Sequence, residues 1–225
     1  MSTAGLAMPP RSRPESQELM LEVRDLQATR GDATLFTGLG FTLRPGALLR
    51  VAGANGSGKT SLLRALCGLL LPTAGEVRWN GSNIRSLREE YWKNLAYIGH
   101  ADALKDDLTV EENLTVNCAL AGLGISSSQS RTALAAFGLA GRERLPARVL
   151  SQGQRRRAAL ARLAMSKTRP LWILDEPFAA LDAAAVERVR QFAGEHLAAG
   201  GMVVLTSHQE PGITAPAASD INLDR

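Results

Sequence analysis

Several things are scarce in this chain, and each scarcity argues against a class of protein. There are two cysteines, Cys67 and Cys118. Each sits among apolar neighbours, in Leu66-Cys67-Gly68-Leu69 and Asn117-Cys118-Ala119-Leu120, with no CxxC pair and no histidine beside it. That pattern speaks against a disulfide framework or a thiolate metal site; buried free thiols in a reducing compartment are expected. No apolar run reaches the roughly 18 residues of a membrane-spanning helix, so no span is expected. No Lys/Arg tract interleaved with aromatics occurs, and the net charge is only +4, so no direct nucleic-acid binding is expected. The positive charge is gathered at Arg155-Arg156-Arg157 and at Arg11 and Arg13. Such a knot reads as a solvated helix face. Residues 1–18 hold Pro9, Pro10 and Pro14 with scattered Ser and Arg, and lack the apolar core of a secretion signal. They read as a flexible tail, with Met20 a second candidate start. No internal repeat is evident.

What is present is enough to fold. Apolar residues make up 45% of 225 residues, which suits one α/β domain with a smaller subdomain and a sizeable core. Leu21, Val23 and Leu26 recur roughly every second residue within 20–30, as in a half-buried strand. Gly31-Asp32 marks a turn, and 35–43 reads as a second strand ended by Arg44-Pro45-Gly46. Residues 75–79 followed by Asn80-Gly81 predict a hairpin, because Asn-Gly favours the tight primed turns. Residues 95–98, 171–174 and 202–205 are short continuous apolar runs, the pattern of strands buried on both faces. Thr109 with Glu112 predicts a capping box opening a helix. Further helices are expected at 126–137, 152–165 and 183–197. Residues 102–165 therefore read as a helical insert in a domain spanning 19–225.

Within this frame, Gly53-Ala54-Asn55-Gly56-Ser57-Gly58-Lys59-Thr60 fits G-x-x-x-x-G-K-[ST] in full. The glycines let successive N–H groups point into one concavity, Lys59 adds positive charge, and the Thr60 hydroxyl can ligate Mg²⁺. A strand-like run at 47–51 precedes the loop and a helix-like run from Ser61 follows, so the helix N-terminus adds its dipole. This predicts a nucleoside triphosphate site. The strand 171–174 ends in Asp175-Glu176. A carboxylate at the carboxyl end of a buried strand lies near the phosphate loop in this fold class. Asp175 fits a direct or water-mediated Mg²⁺ role, and Glu176 a carboxylate polarising the attacking water.

Leu150-Ser151-Gln152-Gly153-Gln154 resembles the LSGGQ signature of ATP-binding-cassette proteins, with Gln152 where Gly is usual. Its physics is a second anion site: a Ser hydroxyl and Gly N–H groups at a helix N-terminus. Ala180-Leu181-Asp182 resembles that family's D-loop, and Thr206-Ser207-His208 its switch-histidine loop. His196 has no such context and reads as surface. Two positions depart from the family pattern. His100, in Tyr97-Ile98-Gly99-His100, stands where a Gln is usual. No aromatic precedes the first turn to stack on adenine; Arg30 is the candidate replacement.

Together with Leu104-Lys105, Leu108-Thr109, Glu112-Asn113-Leu114 and Trp172-Ile173-Leu174-Asp175-Glu176-Pro177-Phe178, these variants are similar to one subfamily, the ATP-binding subunits of cytochrome c maturation systems, historically called haem exporters. The resemblance covers residues 19–209. It implies a P-loop NTPase of ATP-binding-cassette type with an antiparallel β lobe and a helical subdomain. It implies an ATP hydrolase on the cytoplasmic face of a bacterial inner membrane, working with integral membrane subunits to export haem or release a haem-loaded chaperone. Two copies would pair head to tail, Ser151 and Gly153 of each closing on the other's γ-phosphate. His208 and His100 would report that phosphate to the dimer and to the membrane subunits. ATP with Mg²⁺ is the implied cofactor set: Gly53, Ala54, Asn55, Gly56, Ser57, Gly58, Lys59, Thr60, Ser61, His100, Ser151, Gly153 and Asp182 around the nucleotide, Thr60 and Asp175 at the metal, and Glu176, His208 and Lys59 in catalysis. The alternatives are a cassette ATPase serving another solute, a soluble non-transport cassette, and an ATP-gated clamp that does not hydrolyse. The intact Asp175-Glu176 pair argues against the last.

Overall fold

Two sheets, built from two different hydrophobic patterns, carry the chain. The structure is a computed structural model describing residues 19–224; the expected N-terminal tail, 1–18, lies outside the described residues. β1 (Leu21–Arg30) and β2 (Ala33–Leu43) form an antiparallel pair joined at Gly31-Asp32. β4 (Ala74–Trp79) pairs with the other edge of β1, and β5 (Ser82–Asn83) follows it through Asn80-Gly81, both residues having positive φ. The sheet order is β2-β1-β4-β5. Its inward positions, Leu21, Val23, Val77 and Trp79 among them, are buried.

The second sheet is parallel throughout: β6 (Leu95–Ile98), β7 (Leu171–Leu174), β8 (Met202–Thr206), β3 (Ala47–Ala52) and β9 (Ala217–Asn222), in that order. Its central strands are apolar at nearly every position because both faces are covered. The alternation is still there, hidden by uniform composition. Leu171 and Ile173 face one core with Leu49, Val51, Met202 and Val204; Trp172 and Leu174 face a second core with Leu48, Val203 and Leu205. The first core is closed by the antiparallel sheet and by α1 (Lys59–Leu66); the second by the helical lobe and α8 (Ala183–Ala198).

Between β5 and β6 lie two one-turn helices, α2 (Ile84–Leu87) and α3 (Glu89–Trp92), too short to leave a periodic signal. The lobe contains α4 (Val110–Leu120), α5 (Ser127–Ala136), α6 (Gln152–Leu160) and α7 (Arg162–Met165). Three of these start alike. Thr109 with Glu112, Ser126 with Gln129, and Ser151 with Gln154 each form a reciprocal capping box, satisfying two N–H groups that the helix cannot. Cys67 and Cys118 are buried and unpaired, and burial pushes both thiols up.

Three readings of the sequence need correction. His196 is not a surface residue: it is 6% exposed and its ring lies flat on Trp172, centroids 3.9 Å apart with 4° between planes. Its charged neighbours in sequence concealed that α8 turns this position towards the sheet. The arginine knot is not a solvated face either. Arg156 is 3% exposed and Arg155 half-buried. Finally, β9 went unrecognised. Ala217-Ala218-Ser219-Asp220 has little strand propensity, and the strand is held by pairing to β3 and by the Arg50–Asp220 ion pair.

Burial pushes the His196 imidazole down to about 4, against a smaller opposing pull from the backbone at Pro170 and Met202. The folded value lies below the ordinary 6.5. Neutral His196 therefore contributes stability above about pH 6.5 that is lost as pH falls towards 4. Thermal melts should show a drop in Tm between pH 7 and pH 5 that is smaller in His196→Phe, which keeps a stacked ring and cannot titrate. Equal drops in both proteins would refute this.

Candidate nucleotide site

In a parallel sheet every strand delivers its carboxyl end to the same edge, and that edge is where a crevice for ligands forms. Here it carries four segments: the phosphate loop after β3, Gly99-His100 after β6, Asp175-Glu176 after β7 and Ser207-His208 after β8. They line one cleft of about 520 Å³, bounded on the antiparallel side by Arg30 and Leu35. That is large enough for a nucleotide-sized ligand.

The phosphate loop takes its shape from glycines. Gly53, Gly56 and Gly58 all have positive φ, which side chains with a Cβ rarely adopt. Gly58 is the N-cap of α1 and has no side chain to cap it, so the first-turn N–H groups face the cleft unclaimed. Lys59 Nζ donates to the Gly53 and Ala54 carbonyls at 2.7 and 3.0 Å, folded back across the mouth of the loop. The Ala54 N–H is taken by Asp224 Oδ1 at 2.6 Å, from the segment after β9. Ser57 Oγ is buried and has no hydrogen-bond partner.

Asp175 is buried and anchored from two directions. Thr60 Oγ1 donates to its Oδ2 at 2.9 Å and Thr206 Oγ1 to its Oδ1 at 2.8 Å. Thr206 Oγ1 also accepts from the Glu176 N–H at 2.7 Å. Glu176 has φ 47°, a left-handed conformation uncommon for a residue with a side chain. Its Oε1 is buried without a hydrogen-bond partner, and His208 Nε2 lies 3.4 Å away. Thr60 and Asp175 offer hard oxygen donors side by side, and no set of three or more acidic, His or Cys groups placed to hold a metal ion occurs among the described residues. That donor set fits Mg²⁺, which takes one or two protein oxygens and completes its shell with waters and phosphates.

The residues expected around a nucleotide divide into three sets. Asn55, Gly56, Gly58, Lys59, Thr60, Ser61, His100, Asp175, Glu176 and His208 line the cleft, with Arg30. Gly53, Ala54 and Ser57 form the back of the loop. Ser151, Gly153 and Asp182 do not line it. Ser151 Oγ accepts from Gln154 N as the cap of α6, and Asp182 Oδ1 accepts from Ala185 N at 2.8 Å as the cap of α8. Gly153 is there for space: a Cβ would lie 2.7 Å from the Ala180 carbonyl oxygen. Sequence reasoning passed over Arg156, Thr206 and Asp224. Thr206 and Arg156 stood inside stretches already singled out, the latter read as a solvated face; Asp224 left no local signal.

A family model described as ABC transporter matches residues 36–179. The chain is 57% identical over 191 residues to the "Cytochrome c biogenesis ATP-binding export protein CcmA" of Nitrosomonas europaea, covering 85% of this chain and 89% of that one. To the protein of the same name from Nitrosospira multiformis it is 52% identical over 203 residues, covering 90% and 98%. Among solved structures, a dimeric ATP-binding cassette in a post-hydrolysis state bound to ADP and Pi shares the fold, with TM-score 0.72, 21% identity and coverage of 84% and 88%.

Thr206→Val keeps the side-chain shape but strands Asp175 Oδ1 and the Glu176 N–H without their shared partner. A buried polar group left unpaired costs about 1–3 kcal/mol. The variant should melt lower and hydrolyse ATP on the order of tenfold more slowly, since about 1.4 kcal/mol on the barrier is a factor of ten. Native turnover in Thr206→Val would show that the bridge is dispensable.

Proposed function

We propose a working cycle for this chain from the premise that it belongs to the ABC transporter family and is the ATP-hydrolysing, ATP-binding subunit of a cytochrome c biogenesis export system. The reading of a cassette for another solute is not favoured by relatives that carry the cytochrome c name. No helix among the described residues is long and apolar enough to cross a membrane. We assign the membrane work to other subunits, and we place this chain on the cytoplasmic face of the inner membrane beside them. What it drives there is export of haem or release of a haem-loaded chaperone.

The observation that carries the site assignment is the meeting of Lys59, Thr60, Asp175, Glu176, His100 and His208 in one cleft at the carboxyl edge of the sheet. Phosphoryl transfer needs positioning and charge neutralisation more than covalent chemistry. The loop N–H groups of Gly58 to Ser61 and the Lys59 ammonium hold the β- and γ-phosphates. To do so, Lys59 exchanges the Gly53 and Ala54 carbonyls for phosphate oxygens. Thr60 and Asp175 would hold Mg²⁺, which when bound would supply neutralisation of the developing phosphate charge. Glu176, its carboxylate free of hydrogen bonds, accepts from a water and aims it in line with the γ-phosphate. His208, 3.4 Å from that carboxylate, contacts the γ-phosphate. His100 carries its presence towards the membrane partner.

Ser151 and Gly153 do not line this cleft; they stand at the start of α6. Their hydroxyl and N–H groups make an anion subsite with nothing in their own chain to fill it. We assign them to the nucleotide of a second copy in a head-to-tail dimer. The dimeric state of the solved cassette bound to ADP and Pi supports this reading.

In a strain lacking this chain, covalent haem in c-type cytochromes should disappear. The native chain should restore it; Glu176→Gln should not, while still binding ATP. Restoration by Glu176→Gln would remove Glu176 from the chemistry, and normal cytochromes in the deletion strain would discard the biological assignment. Ser151→Arg should abolish hydrolysis and leave ATP affinity of the isolated chain unchanged. Full turnover by a demonstrably monomeric form would rule out the shared site.

A further inference from the structure

The Arg156 guanidinium is enclosed at the junction of three elements and makes contacts with all of them. From the second turn of α6, Nη2 donates to the Asp175 carbonyl at 2.7 Å and to the Glu176 carbonyl at 2.9 Å. Nη1 donates to the Gly99 carbonyl at 2.9 Å, and reaches the His100 carbonyl and Asp102 Oδ1 at 3.4 Å each. Nε is buried without a partner. The residue is 3% exposed. Burying a cation is costly unless its surroundings compensate it, and here most of the compensation comes from backbone carbonyls. That is an expensive way merely to fasten a helix, since an apolar side chain would pack there at lower cost.

The choice of those carbonyls is what makes the arrangement informative. Glu176 sits in a left-handed conformation. Its N–H is fixed by Thr206 and its carbonyl by Arg156. Both peptide groups flanking its Cα are therefore held, one from β8 and one from α6. The same guanidinium holds the turn that ends in His100, and it stands on the helix whose cap is Ser151. The backbone segments that carry Glu176 and His100 thus meet at one rigid planar cation, borne on the helix that Ser151 caps.

We propose that Arg156 is a positioning residue for ATP hydrolysis: it sets the backbone of Glu176 and of the His100 turn, and locks both to the α6 helix that carries the anion subsite offered to the second copy. Movement of α6 as Ser151 engages the partner's phosphate is transmitted through this guanidinium to the Glu176 peptide. None of its hydrogen bonds goes to the phosphate loop, so the loop's own grip on the nucleotide does not run through it. The inference rests on the assignment of Glu176 as the water-orienting carboxylate.

The test uses the full chain in the assembly in which it hydrolyses ATP. Arg156→Lys keeps the buried charge, but an ammonium cannot span carbonyls on separate segments as a planar fork does. Its kcat should fall by about 10²-fold, the loss typical of a displaced catalytic group. Its KM for ATP, and its directly measured affinity for a fluorescent ATP analogue, should stay within about threefold. Arg156→Ala should lose turnover likewise and regain part of it in low-millimolar guanidinium, which refills the site. If Arg156→Ala does not fold, Arg156→Lys alone decides. Native kcat in Arg156→Lys overturns the proposal. So does a loss of nucleotide affinity in step with kcat and no rescue by guanidinium, which would make Arg156 a structural fastening only. Glu176→Gln measured alongside separates the two layers. If it turns over normally, the water-orienting assignment fails whatever Arg156 does; if it is dead while Arg156→Lys is native, only the Arg156 proposal fails.

Discussion

The Asp175 carboxylate accepts from Thr60 on one side and Thr206 on the other, so that the helix after β3, the end of β7 and the end of β8 share one buried anion. A buried carboxylate is tolerated only when its oxygens are hydrogen-bonded. Each oxygen here has its own hydroxyl, drawn from a different connection. The relation runs both ways: the carboxylate needs the strands in register, and the strands present it at the one depth where phosphate loop, acid and histidine can meet. The positive φ of Glu176 and the lie of His208 follow from how β7 and β8 end.

A parallel sheet covered on both faces makes this possible. Its cores leave the strands no freedom to slip, because a shift of one residue would move Trp172 and Leu174 into the space shaped for Leu171 and Ile173. The carboxyl edge is thus a rigid platform, and loops on it hold chemistry with little spare motion. The helical lobe closes the second core against that platform. Polar contacts of Arg156 with the end of β7, and the close pass of Gly153 by Ala180, tie α6 to the edge that carries the cleft.

Much of this was legible beforehand where the signal is local. The phosphate loop announces itself because only glycine accepts its backbone and only Lys-Thr completes its chemistry. The capping box at Thr109 and the Asn80-Gly81 turn are visible for the same reason: each is a contact between residues a few positions apart. The central strands were legible from unbroken apolar runs. What escaped notice was set at long range. β9 has the composition of a loop and becomes a strand because β3 offers it an edge. His196 looks polar and is buried because α8 packs that turn on Trp172. Arg156, between two other arginines, is indistinguishable from a solvated neighbour until the Gly99 turn and the β7 terminus close over it.

The sequence by itself therefore determined the kind of chemistry: a triphosphate cradle, an aspartate and an adjacent glutamate at the end of a buried strand, and a signature helix that we assign to a shared site. These depend on residue type at short spacing, where covalent connection does the positioning. Only the tertiary structure decided which of those residues face one cleft, which turn away from it, and which buried cation ties the two together. Those are matters of register and helix rotation, settled by core packing between segments more than fifty residues apart in places. No local pattern of side chains carries that information.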